Sequence, residues 1–112
     1  MIAINATRHR RIALDVRRCD TFWTRLRGLL GRPKPKAGEA VWIEPCGSVH
    51  TFGMSYPIDA VFLDSQNRVV RIERKLEPNR LADAPGAHSV LEFASDSSPE
   101  CGLGEQIVFV GK

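Results

Sequence analysis

Cysteine, histidine and aspartate fall together in the stretch CGSVHTFGMSYPIDAVFLD, residues 46–64, where a plain pair of strands would need no polar side chains. An imidazole beside a thiol can generate the reactive thiolate, although no acid is obviously placed to orient this one. Cys46 and His50 are the catalytic candidates, and a small thiol-dependent or hydrolytic enzyme would use them with Asp59. Spacing argues against that chemistry. Four residues of extended chain between Cys46 and His50 span roughly 13 Å, against the ~3 Å that proton transfer needs, unless Gly47-Ser48 folds the chain back. The simpler expectation for Cys46 is a buried or turn-capping thiol.

The same stretch also supports a binding reading. Ser48, His50 and Phe52 share one strand face, and Thr51 lies on the other with Val49 and Gly53. An exposed histidine beside a phenylalanine can line a small pocket, and Gly53 lets a ligand or a neighbouring backbone come close. The expected pocket residues are Ser48, His50, Thr51, Phe52, Met54 and Asp59. Asp59 has a structural alternative. Alternation groups it with Val61 and Leu63, opposite Ile58, Ala60 and Phe62, so covering both faces buries it. A buried carboxylate needs a cation or several donors, and Arg25 or Arg27 on the preceding helix is the natural ion-pair partner.

Metal and phosphate chemistry find little support. Cys46, His50, His88 and Cys101 are natural zinc ligands, but the chain has no CxxC, HxxxH or HxH pair, and neither a metal nor a cofactor is expected. Gly102-x-Gly104 lacks the third glycine and the Lys-Ser/Thr of nucleotide loops and reads as a turn.

These residues need elements to hold them. Residues 1–7 read as a loose start, and Arg11 to Val16 alternate so that Ile12, Leu14 and Val16 share a strand face. Asp20 is placed to cap a helix over about 20–30 whose apolar stripe is Phe22, Leu26, Leu29 and Leu30, ended by Gly31 and Pro33. Strands follow at 40–43 and 49–54, then a turn at Ser55-Tyr56-Pro57. The clearest hairpin joins 58–63 to 68–76 through Asp64-Ser65-Gln66-Asn67, with Val70, Ile72, Arg74 and Leu76 on the mostly apolar face of its return arm. Residues 77–87 read as a surface loop, 89–93 and 106–110 as strands, and 95–101 as a short helical turn. The resulting expectation is a single α+β domain, 1–112. Its sheet is mostly antiparallel, curled and β-barrel-like, with six to seven short strands and one main helix.

Composition narrows the class. With 112 residues, 43% of them hydrophobic, the chain has enough apolar content for one core. No secretory h-region or membrane-length apolar run is visible, and three scattered cysteines form no disulfide framework, so a soluble cytoplasmic protein is expected. Residues 1–36 hold ten Lys or Arg against Asp15 and Asp20, an imbalance that can attract an anionic partner. These cations lack the interleaved aromatics of a single-strand binding groove, so nucleic acid is disfavoured.

Four motifs stand in a particular order: Arg25-Leu26-Arg27-Gly28-Leu29-Leu30-Gly31-Arg32, His50-Thr51-Phe52-Gly53-Met54, Pro57-Ile58-Asp59-Ala60-Val61-Phe62-Leu63-Asp64 and Gly102-Leu103-Gly104-Glu105. Over about residues 10–110 the chain resembles the prokaryotic domain of unknown function 192 family. The resemblance implies a compact β-barrel-like α+β domain and brings no activity, substrate or catalytic residues. Where many relatives resemble Trp-Met-Lys-Asn, this chain has His50-Thr51-Phe52-Gly53-Met54, and where many look exported, it starts almost directly with its first strand. The functional expectation is a noncatalytic binding or accessory module for a small molecule or protein partner, with its polar site near residues 46–59. The enzyme built on Cys46, His50 and Asp59 is the alternative. An adaptor for an anionic partner through the basic first third is the other.

Overall fold

In the computed structural model, which describes residues 1–97 and 99–111, two strands are buried at every position: Ile58–Leu63 and Ser89–Ala94. A strand without a polar face must be covered on both sides. The elements are β1 (Ile2–Asn5), β2 (Arg10–Ala13), β3 (Asp15–Cys19), α1 (Phe22–Arg27), β4 (Glu39–Ile43), β5 (Ser48–His50), β6 (Ile58–Leu63), β7 (Val69–Leu76), β8 (Leu81–Asp83), β9 (Ser89–Ala94) and β10 (Ile107–Val110). They form a central five-stranded sheet, β3-β4-β9-β6-β7, a three-stranded sheet, β10-β1-β2, and a two-stranded ribbon, β5-β8. Among the described residues, only β3 and β4 pair in parallel.

The two faces of the central sheet are covered differently. On one, Val16, Trp42, Val61, Leu63, Leu91 and Phe93 pack against Ala3, Ala13 and Ile107 of the three-stranded sheet. Trp42 stacks there on Phe109, with ring centroids 3.7 Å apart and planes at 12°. On the other face, Val41, Ile43, Ile58, Ala60, Phe62 and Val90 pack against Leu29 and against Val49 and Ala82 of the ribbon. No helix among the described residues is long and apolar enough to cross a membrane.

The β-rich α+β expectation holds, but the barrel does not: the sheets remain separate and do not close. The start at residues 1–7 is built into the fold, since β1 lies between β2 and β10 with Ala3 and Asn5 fully buried. Asn5 has work there: its amide nitrogen donates to Glu100 O at 3.1 Å and to Glu105 Oε1 at 3.0 Å. The expected strand 11–16 breaks at Leu14, which is 60% exposed, because the chain leaves one sheet at Ala13 and enters the next at Asp15. The expected loop 77–87 contains β8, whose partner is β5. A 3₁₀ turn covers Ser95–Ser97, and Ser98, within the turn expected at 95–101, lies outside the described residues.

The β6–β7 hairpin forms as expected, with Asp64 Oδ1 accepting from the Gln66 and Arg68 amides at 2.9 Å each. Its alternation does not survive. Two register shifts, between Ile58 and Ala60 and between Phe62 and Leu63, re-aim the return strand, so that Val69 is buried and Val70 is 38% exposed. Among the described residues the cis peptide bond is Glu44–Pro45, and Tyr56–Pro57 is trans.

Candidate functional site

Helix α1 starts with a capping box, in which Thr21 Oγ1 accepts from the Thr24 amide and Thr24 Oγ1 accepts from the Thr21 amide. Thr21, one residue beyond the expected Asp20, is thus the cap. The helix is short, ending when Gly28 turns the chain at φ 50° and donates its amide to Thr24 O. As a result Leu29 and Leu30 leave the helix, and only Leu29 enters the core. The stripe expected to face inward faces out: α1 has no buried residue, with Phe22 62%, Trp23 74% and Leu26 57% exposed. Phe22 and Trp23 pack edge to face on each other, centroids 5.1 Å apart.

Beneath α1 lies a cleft of about 50 Å³. Arg25, Leu26 and Leu30 line its helix side, Cys46, Ser48, His50 and Met54 the opposite side, and Ile43 and Glu92 also border it. The turn at 28–30 is seated by glycine. A Cβ on Gly28 would lie 3.1 Å from Ile43 Cδ1 and 3.2 Å from Glu92 Oε1, and one on Gly53 would lie 3.3 Å from Leu30 Cδ1. Both close approaches draw the helix turn and the 51–54 turn toward the cleft.

Glu92 is the unusual group. It sits on the middle strand, in register with Val41 on one side and Ala60 on the other, and is 5% exposed. It forms no ion pair among the described residues. Burial pushes its pKa up from 4.5 to about 7, opposed in part by the Leu29 amide that donates to it. Arg25, in the same cleft, places Nη1 3.3 Å from Pro45 O, while its buried Nε has no hydrogen-bond partner. Glu92 lacks a cation, and Arg25 Nε lacks an acceptor.

The other candidates divide between this cleft and the scaffold. Cys46 Sγ donates to Ser48 O at 2.9 Å, and burial raises its pKa, so the thiol caps a turn. The His50 ring stacks on Phe52 at 5.6 Å and 25°, and both are exposed. Thr51 belongs to the scaffold: fully buried, its hydroxyl donates to Glu77 O at 2.6 Å and accepts from the Arg80 amide at 2.9 Å.

Asp59 is not in the cleft. It lies on the opposite sheet face, in the register shift of β6–β7, where Oδ1 accepts from the Lys75 amide at 2.8 Å and Oδ2 lies 3.3 Å from Arg74 Nη1. The expected partners Arg25 and Arg27 are elsewhere. Arg27 turns back to the helix end, donating from Nε to Leu30 O at 3.1 Å. Cys46, His50 and Asp59 therefore do not assemble as a triad. His88 lies 3.5 Å from Glu44, Cys101 is in the other core, and no group of three metal-ligating side chains converges among the described residues.

The model of a family described as uncharacterized ACR, domain of unknown function 192, matches residues 3–109. The chain belongs to this family. Two crystal structures share the fold of this family member. A protein of unknown function from Novosphingobium aromaticivorans superposes with a TM-score of 0.79 at 17% identity, over 96% of this chain and 82% of that one. A protein from Sinorhizobium meliloti, described as a candidate transcription regulator, gives 0.77 at 18% identity, over 96% and 89%. No curated protein matches.

Sequence reasoning missed Glu92 in this domain of unknown function 192 protein. The signal was an acidic residue in Ser89-Val90-Leu91-Glu92-Phe93-Ala94, but reading it required knowing that both faces of that strand are covered.

Proposed function

We propose that the protein is a noncatalytic binding module whose cleft beneath α1 receives a polar side chain of a protein partner. A side-chain amide or hydroxyl suits the cleft best, because it donates to the Glu92 carboxyl and accepts from Arg25 Nε. The exposed Phe22, Trp23, Leu26 and Phe52 supply the surrounding apolar contact. The observation carrying this reading is Glu92 itself, a buried carboxyl without a cation that opens onto a cleft. A group desolvated at that cost without full compensation gains most from a ligand.

The enzyme alternative has weaker support, since the Cys46 thiol is held on a carbonyl with its pKa raised, the reverse of an activated nucleophile. The anionic-partner adaptor would engage the exposed cations of the first third. Three free cysteines support a cytoplasmic setting.

The test is selection of a displayed peptide library on the purified protein. Selected peptides are expected to share an amide or hydroxyl side chain flanked by apolar residues, and to lose binding to Leu26→Asp. Peptides that bind wild type, Leu26→Asp and Glu92→Gln equally would rule the cleft out.

A further inference from the structure

A second cleft, of about 320 Å³, lies beyond the 28–32 turn, and Leu29 is the residue common to both. Its size is in the range of small-molecule sites, about 300–1,000 Å³. It lies over the parallel pair β3–β4, with Arg32, Lys34 and Lys36 of the following loop along its wall.

Charge in this cleft is sorted by position. The parallel register sets Asp15 opposite Glu39 and Arg17 opposite Val41. Asp15 and Arg17 share a strand face two residues apart, roughly 7 Å. Cys19 comes next on that face, opposite Ile43, and Arg32 is tied through Nε to Gly28 O, at a glycine that packs on Ile43, so Arg17 and Arg32 stand toward the end away from Asp15. Asp15 and Glu39 mark one end, where Lys36 adjoins Glu39, and Arg17 and Arg32 mark the other.

These charges are poorly used by the protein itself. Asp15 and Arg17 form no ion pair, with each other or with any described residue. Arg32 is fixed by Nε on Gly28 O at 2.9 Å, which leaves its outer edge available. Lys34 pairs with Asp96 at 2.8 Å, and Glu39 Oε1 accepts from the Lys36 backbone amide at 2.8 Å, leaving Glu39 Oε2 open, while the Lys36 ammonium forms no ion pair among the described residues. Between the two ends Leu29 and Val41 provide apolar lining. A simple anion would meet Asp15 and Glu39 as repulsion, and a nucleic-acid strand would find no aromatic side chain to stack on.

We propose that this cleft binds a small zwitterion of dipeptide size, its carboxylate on Arg17 and Arg32, its ammonium on Asp15 and Glu39, and its apolar body over Leu29 and Val41. A dipeptide separates its two charges by about the distance between adjacent same-face positions of a strand. The site is independent of the Glu92 cleft and of the partner proposed there.

The experiment is an amide-shift NMR titration with L-alanyl-L-alanine, its N-acetyl form, its C-terminal amide and inorganic pyrophosphate. The dipeptide is expected to give saturable shifts confined to residues 15–17, 29–36 and 39–41. Blocking either end is expected to weaken binding by about tenfold or more, the value of one charge-assisted contact. Arg17→Gln, a change at an exposed position, should erase the difference between the dipeptide and its C-terminal amide. Absence of saturable shifts with the dipeptide overturns the proposal. So does pyrophosphate binding as well as or better than the dipeptide, which would make the cleft a plain anion site.

Discussion

Two carboxylates are buried in the central sheet, on opposite faces, and the protein treats them differently. Asp59 is 1% exposed and fully engaged, by the Lys75 amide and by Arg74, whose Nη2 also donates to Pro99 O at 2.9 Å. Glu92 is 5% exposed and has one backbone donor and no cation. The surroundings follow suit: a three-stranded sheet closes the Asp59 face, whereas the Glu92 face is covered by Leu29, the small β5–β8 ribbon and a short helix with no buried side chain. A fold that can satisfy a buried carboxyl by a strand irregularity on one face leaves another with a single backbone donor beside a cleft. On this contrast Asp59 serves stability, and the proposed recognition role falls to Glu92.

The largest expected effect comes from Glu92→Gln. The folded protein holds the Glu92 proton up to about pH 7, the unfolded chain only to about 4.5, so stability falls as pH rises through that window and levels off above it. Replacing the carboxyl removes this loss, and urea unfolding should find the variant more stable by ~3 kcal/mol at pH 8, with the gap closing near pH 4.5. A gap that does not change with pH would place Glu92 with Asp59 as a satisfied structural acid. Asp59→Ala should act in the opposite sense and lose about 2–3 kcal/mol, chiefly by orphaning the Lys75 amide, since the half-exposed Arg74 contributes less. A neutral result would remove the structural half of the comparison.

Smaller effects sharpen it. Thr51→Val, which deprives the Arg80 amide of its hydroxyl acceptor, should cost about 1–2 kcal/mol in the same melts. Trp23→Ala and Leu26→Ala should change stability by no more than about 0.5 kcal/mol, as exposed positions do, while weakening peptides selected on the cleft. Strong destabilisation by either would mean that α1 is scaffold after all.

How much of this was legible depended on how local the determining physics was. The β6–β7 hairpin could be read because its turn residues and apolar arms are contiguous, and Asp64 organises the turn through its own neighbours. Asp59 was readable as buried, but its partner was not. Arg74 reaches it through a register shift that breaks alternation, a feature set by strand pairing. Helix α1 was placed nearly correctly and oriented wrongly: Phe22, Leu26, Leu29 and Leu30 are a core stripe only if the helix continues past Gly28. The loose start failed for a related reason, since β1 is held by β10 from the far end of the chain. The candidate site was half legible. Cys46, Ser48, His50 and Met54 do line one cleft, while its key group, Glu92, comes from a distant strand with no nearby motif.

The most direct test of the account is a pH titration of the Glu92 side-chain carboxyl carbon by ¹³C NMR. A midpoint near 7 is the expected result. A midpoint at or below the ordinary 4.5 would mean that the carboxylate is already satisfied in the free protein, and would contradict the assignment of this cleft to partner recognition.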